Sequence, residues 1–112
     1  MKTYLILLRE DLQTINNMTE EEAMEEIATY QKWVDELTQS GNHVSSEPLT
    51  DEGFLVSDTQ VVSDGPFIEA KDAISGYFII KAENHEQAIE IAKSCPLVTN
   101  GGTVELRPVM EY

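Results

Sequence analysis

Asp64 opens the run Asp64-Gly65-Pro66-Phe67, and Glu69 and Lys71 follow within seven residues of it. An aspartate can hydrogen-bond its own backbone two residues on, and a glycine admits torsions that other residues resist. Pro66 sets the next turn, and Phe67 can bury itself beneath the loop. A loop stiffened in this way at a strand end can also hold a carboxylate over a cleft. Asp64 would then serve as a general base, with Lys71 neutralising Asp64, Glu69 or an anionic ligand. The simpler alternative is an exposed Glu69–Lys71 pair, contributing under about 1 kcal/mol.

Two cations raise a second question. Arg9 ends the first apolar run, and Arg107 alternates with Val104 and Leu106, so it occupies the opposite strand face together with Glu105. A guanidinium taken out of water must be paired or must bind an anion. Glu47 and Glu105 are the candidate partners, and a small anionic molecule is the sharper alternative. The histidines, His43 and His85, read as a loop residue and an exposed residue at a helix start. No H-x-x-x-H, H-x-x-E or cysteine pair supplies a zinc site. The G-x-S-x-G, P-loop and G-x-G-x-x-G patterns are absent from the sequence, so no cofactor is expected. Cys95, the single cysteine, ends an apolar stripe before a proline, which suits a packed thiol better than a nucleophile.

The elements that must position these side chains follow from composition and periodicity. A 112-residue chain makes one domain, residues 1–112, able to bury roughly two-thirds of its unfolded surface. Its 21 Asp+Glu against 7 Lys+Arg give a formal charge of -14, with no clustered basic surface. That argues against nucleic acid and anionic membranes as partners. No apolar stretch reaches membrane-spanning length, and the N-terminus lacks the small-residue cleavage site of a signal peptide. A soluble cytoplasmic protein is expected.

Thr3–Leu8 and Ser75–Ala82 are apolar without alternation, which predicts strands covered on both faces. Between them, Thr19 and Glu22 form a capping box, and Ala23, Ile27, Tyr30, Val34 and Leu37 recur at helical spacing, flanked by Met24, Ala28 and Trp33. Gly41 is the expected stop. A second helix opens at Asn84, carries Ala88, Ile89, Ala92 and Cys95 on one stripe, and closes at Pro96. Residues 43–47 read as a short strand, 53–66 as a hairpin with strands at 54–56 and 60–62 and a turn near Ser57-Asp58-Thr59, and 103–107 as a final alternating strand.

The order is βαβ, a hairpin, then βαβ: an α+β, ferredoxin-like split βαβ plan with an added β-hairpin. Both helices should lie on one face of an antiparallel sheet. The apolar second face would then meet another sheet, most economically its copy in a homodimer. Two sheets packed in this way leave a cavity or cleft at their margins.

The ordered set Asp64-Gly65-Pro66-Phe67, Glu69, Lys71, Gly76-Tyr77-Phe78 and Val104-Glu105-Leu106-Arg107-Pro108-Val109-Met110-Glu111 resembles the YCII-related, DGPF-motif family. Arg9, Gly41, Glu47 and Cys95-Pro96 extend the resemblance from end to end. It implies a dimeric α/β barrel of ferredoxin-like subunits, most of them without an assigned activity. One branch of the family carries a His and an Asp proposed as an acid–base pair. The position of that His is Tyr30 here, and a phenol with a pKa near ~10 is a poor base at neutral pH. The resemblance to proteins found alongside alternative sigma factors suggests regulation. Two readings follow. One is a homodimeric binding or accessory protein with a cleft lined by Arg9, Tyr30, Glu47, Asp64 and Arg107. The other is a small enzyme in which Asp64 or Glu47 moves a proton while Tyr30 or an arginine steadies the developing anion.

Overall fold

The computed structural model describes residues 1–50, 52–63 and 73–111. The elements run β1 (Lys2–Glu10), α1 (Leu12–Asn16), α2 (Glu20–Gln39), β2 (His43–Pro48), β3 (Phe54–Val56), β4 (Val61–Ser63), β5 (Ala73–Ala82), α3 (His85–Lys93), α4 (Pro96–Thr99) and β6 (Thr103–Pro108). β2, β5, β1 and β6 lie in that order in one antiparallel sheet, while β3 and β4 form a separate two-stranded ladder. This is the expected α+β, ferredoxin-like plan.

The 20-residue α2 starts and stops by local chemistry. Thr19 accepts from the Glu22 backbone N–H at 3.1 Å, and the Glu22 carboxylate accepts from the Thr19 N–H at 3.1 Å. That bond and its side-chain counterpart hold the Glu22 carboxyl below the ordinary carboxylate range. At the far end Gly41 takes φ 78°, Gly41 N–H donates to Thr38 O, and Asn42 N–H donates to Leu37 O. This is a Schellman closure, which favours glycine at the left-handed position. Asn42, buried, then ties the helix end to β5: its Nδ2 donates to Lys81 O, and its O accepts from Lys81 N–H.

One face of the sheet carries the core. Tyr4, Ile6 and Leu8 alternate on β1, Phe78, Ile80 and Ala82 on β5, and Trp33, Leu37, Ala88, Ala92 and Cys95 close over them. Full burial of a side chain such as Ile6 or Ile80 contributes about 1.5–3 kcal/mol. Trp33, expected only to flank the helical stripe, is its anchor. The indole sits 4.6 Å, edge on, from Phe78 and donates Nε1–H to Ser94 Oγ at 2.8 Å. Ile27 and Met24 are exposed instead.

Other elements depart from the expected pattern. On α3, Ala88 and Ala92 reach the core as expected, but the isoleucine packed against it is Ile91, and Ile89 is exposed. Pro96 does not close α3, which ends at Lys93. It opens α4 at a position whose missing N–H costs nothing. His43 is not a loop residue: it begins β2, faces the Phe78 ring edge and bonds Ser46 Oγ through Nε2 at 2.9 Å. His85 is exposed, as expected, yet its Nδ1 lies 2.6 Å from the hydroxyl of the buried Tyr4.

The second face of the sheet is only half covered. Leu5, Leu7, Tyr77 and Ile79 share it, and all four remain partly exposed within one chain. No helix of the described residues is long and apolar enough to cross a membrane.

A candidate small-molecule cavity

Where β1 meets β5, the pairing slips between Leu8 and Arg9, so that Gly76 faces Leu8 and Ile74 faces Arg9. The intervening Ser75 is the extra residue of a bulge, a feature that re-aims side chains locally. The Ser75 hydroxyl donates to the Glu10 carboxylate, holding that acid at the end of the strand. Beside the bulge lies a cavity of about 750 Å³ between α2 and the β1, β5 and β2 strands. A volume of this size falls in the usual range of ligand sites.

The walls are mainly apolar. Leu8 and Phe78 form the sheet side, Ile27, Tyr30 and Val34 the α2 side, and Ile15 and Leu49 complete it. The polar lining includes Glu10, Glu26, Asp35 and Glu47, and no Lys or Arg lines it among the described residues. Burial, and then the charge of Glu10, pushes the Glu26 carboxyl above its ordinary value. Tyr30 stacks on Phe78 with centroids 6.2 Å apart and planes at 22°. Its hydroxyl is shut away from water and is the one such buried side-chain atom without a hydrogen-bond partner among the described residues. The Cys95 thiol is near enough to act on it, but thiols are weak partners. Burial first, then Cys95, Glu10 and Glu26, drive the phenol far above its ordinary pKa. Burial likewise raises the Cys95 thiol. Tyr30 therefore stays a neutral phenol, and Cys95 a packed thiol.

The residues expected to share one cleft are divided by the sheet. Tyr30 faces the cavity on the helix side. Arg9 and Arg107 stand on the opposite face, where both meet Glu105: Arg9 Nη2 at 3.2 Å from Oε1 and Arg107 Nη1 at 3.0 Å from Oε2. These guanidiniums, with the Arg107 hydrogen bond foremost, hold the Glu105 carboxyl below the ordinary range. The division follows from strand alternation, since Arg9 succeeds Leu8 and Arg107 succeeds Leu106. Glu47 is exposed, stands opposite Tyr77 and reaches the cavity rim. Asp64, Glu69 and Lys71, with the rest of the Asp64-Gly65-Pro66-Phe67 run, lie outside the described residues.

Glu26, Glu10 and Ser75 were not anticipated. Glu26 precedes Tyr30 by four residues and Val34 by eight, so helical periodicity already puts it on their stripe. Glu10 continues the alternation of Tyr4, Ile6 and Leu8. Ser75 needed the bulge, which no local signal announces. Among the described residues, no group of three His, Cys, Asp or Glu could hold a metal ion.

The model of the YCII-related domain matches residues 3–112. The chain belongs to the YCII-related domain family. The match spans the whole sheet, both long helices and the cavity, so the YCII-related domain accounts for the fold from end to end. A search of curated proteins returns no match.

Proposed function

We propose that this YCII-related protein is a homodimeric small-molecule-binding protein, acting as a regulatory or accessory component, with its ligand site in the cavity between α2 and the sheet. The observation that carries this reading is the cavity itself: about 750 Å³, walled by Leu8, Val34 and Phe78, with a few convergent polar groups. The small anionic ligand expected from the sequence has less support here, because Arg9 and Arg107 stand on the other face with Glu105. The dimer is supported by the half-covered sheet face of Leu5, Leu7, Tyr77 and Ile79, which a second sheet would bury. Phe54, Leu55, Val56 and Val61 of the hairpin are also exposed and add apolar surface for assembly.

Two measurements test this reading. Light scattering should give a dimer, and Leu7→Lys should give a folded monomer; a wild-type monomer removes the dimer. A fragment screen by amide NMR should find compounds that shift Tyr30, Val34, Ser75 and Phe78. Ile27→Trp places bulk at an exposed wall position and should abolish those shifts. Hits that persist in Ile27→Trp place the site elsewhere.

One observation favours a second reading, an enzyme that moves a proton. Glu26 is a partly desolvated acid with a raised pKa in a cavity, which is what a general acid or base requires. On this reading Glu26 replaces Asp64 and Glu47 as the base, and turnover of a bound hit that Glu26→Gln abolishes would establish it.

A further inference from the structure

Among the described residues, the cavity lining carries acids and no basic side chain. Glu10 comes from β1 and Glu26 and Asp35 from α2, all lining one space, with the exposed Glu47 of β2 only at its rim. No described Lys or Arg lines it, and the Tyr30 phenol of the wall stays neutral, as does the Cys95 thiol outside the lining. Glu10 cannot swing freely, because the bulged Ser75 holds its carboxylate. Like charges in a partly desolvated space repel, and a cation placed between them relieves both the repulsion and the lost hydration. The rest of the wall is apolar, suited to a hydrocarbon or aromatic body rather than to a hydrated metal ion.

Building on the small-molecule reading above, we infer that the ligand class is an organic cation. Its protonated amine would be received by Glu10 and Glu26, and its apolar body would lie between Leu8, Ile27, Val34 and Phe78. An ammonium offers three donors, which two carboxylates and the Ser75 hydroxyl can accept. The geometry selects against carboxylate-bearing ligands for the same reason.

Three indoles of matched size differ only at the end of a two-carbon arm: tryptamine, tryptophol and indole-3-propionate. Titrations followed by amide NMR should show tryptamine shifting Tyr30, Ser75 and Phe78 at concentrations about tenfold or more below tryptophol, with indole-3-propionate weakest. Glu26→Gln and Glu10→Gln should each erase most of that preference, read as the ratio of tryptamine to tryptophol affinity. Glu20→Gln removes an exposed acid in the first turn of α2, outside the cavity lining, and controls for the general attraction of a chain carrying -14. If Glu20→Gln lowers tryptamine binding as much as Glu26→Gln does, the cavity is not the cation site. If tryptophol or indole-3-propionate matches tryptamine at the cavity, the cation is overturned and the small-molecule site stands. If none of the three shifts cavity amides, the proposal fails. The small-molecule reading fails with it only when the broader fragment screen is blank as well.

Discussion

Tyr4→Phe and Tyr30→Phe remove the same atom from the same residue type, yet they should change stability in opposite directions. The Tyr4 hydroxyl lies 2.6 Å from His85 Nδ1, while the Tyr30 hydroxyl is equally shut off from water with no hydrogen-bond partner among the described residues. An unsatisfied buried polar group costs about 1–3 kcal/mol, whereas an ordinary hydrogen bond contributes about 1 kcal/mol. The Cys95 thiol near Tyr30 offsets part of that cost. The Tyr30 ring should keep its place over Phe78, since the stack does not involve the oxygen. Tyr30→Phe should therefore gain about 1 kcal/mol, and Tyr4→Phe should lose about 1 kcal/mol. Urea unfolding at fixed protein concentration, followed by the fluorescence of the single, buried Trp33, reads both. With m near ~1–3 kcal/mol/M, each change moves the midpoint by about 0.3–1 M. A Tyr30→Phe midpoint that falls by that amount would refute the reasoning, because the phenol must then have a partner worth more than a thiol contact.

Glu26→Gln should stabilise the free protein at neutral pH by under about 1 kcal/mol, allowing for solvent screening. Since burial raises its folded pKa, Glu26 supports folding below the ordinary carboxylate range and loses that contribution as pH rises through the raised value. The gain should thus vanish in acid, and thermal melts at pH 7 and pH 4 check the sign. Thr19→Ala breaks the capping box at the start of α2 and should cost about 1 kcal/mol in urea melts. Gly102→Ala should cost about 1–3 kcal/mol, since a Cβ there would meet Leu97 Cδ1 at 2.7 Å and Leu97 O at 2.9 Å. A neutral result at Gly102 would mean that the turn between α4 and β6 yields more easily than its packing indicates.

Legibility in the sequence varied with the range of the interaction. The start and stop of α2 were readable because Thr19, Glu22 and Gly41 act within one helical turn. The opposite faces of Arg107 and Val104 were readable from alternation alone. Trp33 over Ile27 was not, because which side of a broad stripe meets the sheet depends on where Phe78 and Ser94 arrive. The short α1 was missed, although Asp11 caps it by accepting from Gln13 N–H, since five residues carry too little periodicity.

The candidate site was the least legible feature. Arg9 and Tyr30 were expected together, and the sheet separates them, while Glu10 and Glu26, from different elements, meet at one cavity. Local chemistry in the chain itself determined the caps, the strand faces, the order of elements and the excess of negative charge. Those depend on neighbours a few residues apart. Only the tertiary structure decided that a one-residue slip beside Leu8 would aim Ser75 at Glu10 and bring two like charges into an apolar space. Pairing register between β1 and β5 joins residues more than sixty positions apart, and no local pattern encodes where such a ladder will slip.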